Sequence, residues 1–245
     1  MTPRILLAVA ARVLTQLRRD RRTAAMLLVL PCALITLLWW MFQEVPGDPF
    51  NQFGPALLAM FPFIVMFLVT SVTTLRERSS GTLERLLAMP MGKLDFLGGY
   101  AVAFGVVAAV QAALAVTLSV GLLGLDVAGP VALLGVVAVA DAVLGTALGL
   151  LVSAFARTEF QAVQFMPLFV IPQILLCGLF VPRSTLPDVL RAVSDVLPLS
   201  YATDAMQTLV TTSATAEVWR DLGIVVAFTV AALALGAATL RRRTP

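Results

Sequence analysis

Asp141 sits near the middle of a long apolar run, "PVALLGVVAVADAVLGTALGLLVSAFA", and is the one acid of the chain so placed. A bare carboxylate at the centre of a membrane helix costs about 2.5–3.5 kcal/mol, so it needs a partner or a proton. Gln111 lies at comparable depth in the preceding run, and its amide can donate to a carboxylate. Such a tie between helices is worth on the order of 1 kcal/mol and explains the pair as structural glue; the functional alternative is a station on a transport route. The next run carries Pro167 and Pro172 with Gln164 and Gln173 nearby, a pattern that kinks a helix and lines something wetter than lipid. Phe165, Met166 and Phe169 beside them suit a greasy or amphipathic cargo, although lipid contact accounts for each taken singly. Gln111, Asp141, Gln164, Phe165, Phe169 and Gln173 are therefore the candidate substrate path.

Bond-making chemistry has no obvious carrier, and no catalytic residue is assigned. The chain has no histidine, which removes the commonest metal ligand and the usual base of nucleophilic triads. Cys32 and Cys177 fall inside apolar runs, where cysteine acts as a small hydrophobe, and two are too few for a usual zinc site. No metal is expected. A Gly-x-x-x-x-Gly-Lys-Ser/Thr phosphate loop does not occur, so any ATP hydrolysis must come from another chain.

A second stretch is unusual for its polarity. "ERSSGTLERLLAMP", residues 77 to 90, holds four charges between apolar neighbours. An ordinary topology-fixing loop explains the charges but not Leu83, Leu86 and Leu87, which at helical spacing share one face while Glu84 and Arg85 turn away. Thr82 can cap a helix start after Gly81, and Pro90 with Gly92 stops it after about two turns. A helix that short is marginal in water and must pack on something. Lipid is one candidate; a partner protein is preferred, because so short a helix offers little apolar area for interfacial binding.

Membrane helices must position all of these residues. Sixty per cent of the 245 residues are hydrophobic and 13 per cent charged, against roughly a quarter charged in a soluble domain. Six apolar runs reach the ~20 residues that a spanning helix needs: 23–42, 55–75, 94–123, 130–156, 160–181 and 222–240. They are apolar on all sides, unlike the alternating strands of a barrel. The expected fold is an all-α membrane protein of one domain, 1–245, with no cleaved signal.

Fourteen basic residues, from Arg4, Arg12 and the "RRDRR" cluster to Arg76, Arg78, Arg85, Lys93, Arg157 and the terminal arginines, fall on one side of this topology. Arg183, Arg191 and Arg220 alone fall on the other, which places both termini in the cytoplasm. The run from Arg4 to Arg22 puts Ile5, Val9, Val13 and Leu17 on one face, as suits a helix lying on the cytoplasmic leaflet. "RSTLPDVLRAVSDVLPLS" is too broken by proline and charge to span. Leu186, Val189, Leu190, Val193 and Leu197 nevertheless give it an apolar face, so it should lie at the interface or re-enter the bilayer.

"RERSSGTLERLLAMPMGKLDFLGGY" resembles the cytoplasmic coupling segment of ABC-2 type transporter permeases, and "GLFVPRSTLPDVLRAVSDVLPLSYATDAMQTLV" resembles the outer-face segment that follows their fifth span. The likeness extends over essentially the whole chain. It implies a non-catalytic permease of the bacterial plasma membrane that pairs with a second half, identical or related, and with two ATPase subunits that use ATP and Mg²⁺. It also implies that Glu77, Thr82, Leu83, Glu84, Arg85, Leu86 and Leu87 receive the ATP-driven motion, and that 182–200 forms short re-entrant helices. A hydrophobic or amphipathic drug or lipid is the expected cargo; no cofactor bound by this chain and no nucleic-acid partner are expected. The rival reading is a proton-driven secondary transporter working through Asp141.

Overall fold

The computed structural model describes residues 3–79, 93–156 and 158–239. All regular structure among them is helical: α1 (Pro3–Arg19), α2 (Arg21–Phe42), α3 (Pro49–Ser79), α4 (Lys93–Gly121), α5 (Val131–Ser153), α6 (Glu159–Leu176), α7 (Asp188–Asp195), α8 (Pro198–Thr211) and α9 (Ala216–Thr239). Six of these, α2 to α6 and α9, are long and apolar enough to cross a membrane. They correspond one for one to the six runs read from the sequence.

The ends of the helices have local causes. Asp20 separates α1 from α2 by capping the latter: its carboxylate accepts from the Thr23 amide at 3.2 Å and the Thr23 hydroxyl at 2.6 Å. These bonds, the hydroxyl first, hold the Asp20 carboxyl below its ordinary range. The α3 helix begins at Pro49, earlier than expected, because proline at the first helical position lacks only an N–H that would have no partner there. At 31 residues it is about 46 Å long, well beyond the hydrocarbon thickness. The α6 helix stops at Leu176 rather than continuing to residue 181, since Gly178 takes a left-handed φ of +95° just past the cap at Cys177.

The centre of the bundle is the contact of α3 with α5. A Cβ placed on Gly145 would lie 2.5 Å from the Phe63 carbonyl oxygen, and one on Gly149 would lie 2.5 Å from that of Phe67. Matching steps of four along both chains mean that the two helices run in the same direction with their backbones touching. Gly145 and Gly149, four residues apart in the sequence, form a small-xxx-small pair of the kind that permits close helix contact, and α3 is its partner. Phe63, Phe67, Leu134, Leu144, Met206 and Leu199 fill the space around this seam. By contrast α2 and α6 leave most of their apolar surface on the outside of the bundle.

Arg12 meets Glu77, Arg76 meets Glu159, and Gly236 of α9 approaches Leu151 at the end of α5. The starts of α2 and α6, the ends of α3, α5 and α9, and α1 thus share one end of the bundle, hereafter the basic end. The α2–α3 and α4–α5 turns meet at the opposite end, where Asn51 accepts from the Asp126 amide at 2.8 Å and donates to the carboxylates of Asp48 and Asp126.

The segment after α6 folds as a 3-10 turn, Arg183–Thr185, followed by α7 and α8. At 14 residues α8 is about 21 Å long, too short to cross a bilayer. It nonetheless buries Leu199, Ala202, Ala205, Met206 and Leu209 against its neighbours. Of the apolar face read from the sequence, Leu186 is buried and Leu197 half-buried, whereas Val189, Leu190 and Val193 point outwards.

Candidate functional site

The basic end is organised by α1. Its buried residues Val9, Ala10 and Val13 recur at the spacing of one helical face. A Cβ at Gly99 would come within 2.6 Å of the Val9 side chain, so α1 lies directly on α4. From the same helix Arg12 reaches Glu77 at 3.3 Å, with Gln16 beside that carboxylate. The α1 helix therefore touches the last turn described before residue 80 and the early turns described after residue 92. Arg76 adds a two-point ion pair to Glu159, at 2.9 and 3.1 Å, which joins the end of α3 to the start of α6. Thr82, Leu83, Glu84, Arg85, Leu86 and Leu87 lie outside the described residues; Glu77 is their flank. Neither ion pair is readable from sequence, because the partners are 65 and 83 residues apart.

The interior departs from the expected Gln111–Asp141 tie. The Gln111 amide donates instead to the carbonyl oxygen of Leu27, at 2.6 Å. Pro31 explains why: four residues on from Leu27, it has no N–H to offer that carbonyl, and Gln111 supplies the missing donor. Asp141 is fully buried, and neither carboxylate oxygen has a hydrogen-bond partner among the described residues. The expectation failed because it matched the residues by depth, whereas the acceptor was already set by a proline in a third helix.

Gln173 also has a definite structural task. Its Nε2 donates to the Phe169 carbonyl at 3.0 Å, and its Oε1 accepts from the Leu199 amide at 3.2 Å. Leu199 is in the first turn of α8, where backbone N–H groups have no helical acceptor. Gln173→Leu leaves that buried donor unmade and should cost about 1–3 kcal/mol; thermal unfolding in detergent reads the loss. Phe165 is half-buried against the core and meets Phe169 edge-on at 6.4 Å, while Phe169 itself and Gln164 face outwards. The six path residues thus divide between the interior, the α6–α8 brace and the outer surface of α6, and do not line one chamber.

A chamber does exist at the end opposite the basic one. A cavity of about 420 Å³ opens between the start of α3, the α6 cap and α8, lined by Gln52, Ala56, Cys177, Gly178, Thr203, Asp204 and Gln207 among others. Arg183 forms its wall, held by ion pairs to Asp204 and to Asp195, the latter at 2.6 Å, and its guanidinium lies 5.1 Å from the centre of the Tyr201 ring. Partial burial works against the Arg183 charge, but the Asp204 and Asp195 carboxylates outweigh it and hold the group above its ordinary range. A second hollow of about 450 Å³, lined by Asp48, Asn51, Asp126 and again Gln52 and Gln207, adjoins the first. Sequence reasoning singled out the 182–200 segment but not this chamber, whose walls come from three distant parts of the chain.

Residues 4–210 match the family model described as ABC-2 type transporter. Among curated relatives, the chain is 30% identical over 190 residues to YbhR of Escherichia coli, named a probable multidrug ABC transporter permease, with 77% of this chain and 52% of that protein covered. It is 25% identical over 186 residues to the linearmycin resistance permease protein LnrN of Bacillus subtilis, covering 73% of this chain and 48% of the relative. ABC transporter G family member 20 of Dictyostelium discoideum is 26% identical over 167 residues, or 66% of this chain and 23% of its own length. The chain thus spans about half the length of the two bacterial relatives. With the match running from the amphipathic first helix through α8, and with the six spanning helices in place, the chain belongs to the ABC-2 type transporter family.

Proposed function

We propose that this chain is the membrane permease of an ATP-driven exporter that moves a hydrophobic or amphipathic compound out of the cytoplasm or inner leaflet. The observation that carries the reading is the family match over residues 4–210, which includes the whole leucine-bearing segment and the α6–α8 chamber. Two relatives with multidrug and linearmycin resistance in their names support a drug-like or lipid-like cargo. In this reading two ATPase subunits on separate chains hydrolyse ATP with Mg²⁺, and a second permease half, identical or related, completes the pathway. The bacterial relatives support a multi-pass protein of a bacterial inner membrane, and the charge distribution supports cytoplasmic termini, so the basic end meets the ATPases and the chamber opens outwards.

Force entering at 82–87 has two rigid ways into the bundle. One runs back along α3 through Glu77 and Arg12, and the other forward along α4 through Gly99 and Val9. Since α1 holds both, it would make the two helices move together. The α3–α5 seam then carries the motion to the chamber.

Asp141 keeps one alternative in view, since its carboxyl is buried without a partner and a proton-driven carrier needs such a group. Reconstitution with the ATPase subunits separates the two readings. Export should require ATP, survive collapse of the proton gradient, and stay within about twofold in Asp141→Asn, a change of under ~0.5 kcal/mol in the barrier. Export that runs on a proton gradient without ATP and disappears in Asp141→Asn would instead establish the proton-driven carrier.

A further inference from the structure

Three carboxylates surround the two adjoining hollows at the end opposite the basic one: Asp204 on the first, Asp48 and Asp126 on the second. The one guanidinium among the lining residues, Arg183, is already shared between Asp195 and Asp204. Asp48 and Asp126 have only the Asn51 amide as a side-chain partner and form no ion pair among the described residues. Asp204 spends Oδ2 on Arg183, and its Oδ1 is turned towards Gly178, 4.0 Å from where a Cβ there would sit. The local field is therefore negative, and it is undercompensated by the protein itself.

Charge alone would make only an acidic surface, but the first hollow has features of a prepared interior. Thr203 lines it and is 4% exposed, and among the described residues its hydroxyl is met only by the Cys177 thiol, a weak hydrogen-bonding partner. A buried hydroxyl held only by a thiol gains free energy when something entering the hollow supplies a stronger partner. Ala56, Leu179, Phe180 and Pro182 give an apolar wall, and Gln52 and Gln207 border both hollows, so one molecule can extend across the two. The volume of the first hollow falls in the range that takes a drug-sized molecule.

We infer that these joined hollows bind an amphipathic organic cation, with its positive group among Asp204, Asp48 and Asp126 and its apolar part along Leu179 and Phe180. The inference rests on the reading of the chain as a transporter and specifies the charge class of its cargo. The site lies within a single chain and needs neither nucleotide nor a partner to be occupied. Anions of the same shape are repelled by the same three carboxylates.

Equilibrium binding to the full chain in lipid nanodiscs, with empty discs subtracted and no ATP or ATPase present, tests this directly. The probes are decyltrimethylammonium and decyl sulfonate, which share a tail and differ in charge. Saturable binding of the cation at least about tenfold tighter than the anion is expected, the equivalent of ~1.4 kcal/mol. Gln207 is half-exposed, and its side chain makes no hydrogen bond that holds the fold, so both charges can be introduced there. Gln207→Glu should tighten cation binding severalfold, and Gln207→Lys should weaken it about tenfold with the unfolding temperature unchanged. Equal binding of the two probes, no saturable binding, or a Gln207→Lys variant that keeps its cation affinity would each overturn the inference. Cation binding that persists while ATP-driven export fails would count against the proposed function and leave this inference standing.

Discussion

Leu86→Asp and Glu84→Arg should each leave the permease inserted and the partner ATPase turning over, while ATP-driven export falls at least about tenfold. A tenfold loss corresponds to only ~1.4 kcal/mol of coupling, which is small against what a docked leucine contributes. At the helical spacing expected from the sequence, Leu86 would share a face with Leu83 and Leu87, and a carboxylate there would stay in water rather than enter an apolar socket on a partner. Glu84→Arg instead reverses a charge that the same spacing would put away from the leucines, and would act through electrostatic fit. Leu86→Met conserves volume and should keep most of the activity. The readings are ATP hydrolysis and export in the same proteoliposomes, with insertion checked separately. Parallel loss of both activities would indicate a failure of assembly, and unchanged export would remove 82–87 from the force path.

Gly145→Val should be the most damaging change within the bundle. Its first added carbon alone would lie 2.5 Å from a main-chain oxygen of α3, and neither helix can yield locally, because Gly149 makes the same contact with Phe67 one turn later. Overpacking of this kind costs about 1–3 kcal/mol where side chains can adjust, and backbone contact leaves less room to adjust. A control is available in the same helix. A Cβ at Gly135 would meet nothing within 4 Å, so Gly135→Ala should be neutral or stabilising by up to about 1 kcal/mol. Thermal unfolding of the purified variants in detergent decides between a seam that tolerates separation and one that does not. Gly145→Val unfolding together with wild type would contradict the packing described for α3 and α5.

Those two glycines show what could be read in advance. Their spacing of four marked a close helix contact, and the six apolar runs marked the spanning helices, because both signals repeat along one helix and need no knowledge of its neighbours. The amphipathic α1 was legible for the same reason. Gln111 was not. Its partner was decided by Pro31 in another helix, and nothing local distinguishes a glutamine that meets a carboxylate from one that meets an orphaned carbonyl. Gln173 showed the same limit, reading as a polar lining residue while it braces the first turn of α8. Arg12–Glu77 and Arg183 with its two aspartates are long-range pairings in a chain that offers several acids to each arginine. The chamber at the opposite end follows from such pairings and became visible only with the fold.

The central claim is that an ATPase made by another chain drives this permease through residues 82–87. Placing a photo-crosslinking amino acid at position 86 and irradiating the assembled transporter in its membrane tests it most directly. The account predicts a crosslink to the ATPase subunit whose yield changes between the ATP-bound and nucleotide-free complexes. Crosslinks to lipid alone, in a complex that still hydrolyses ATP and exports its cargo, would contradict it.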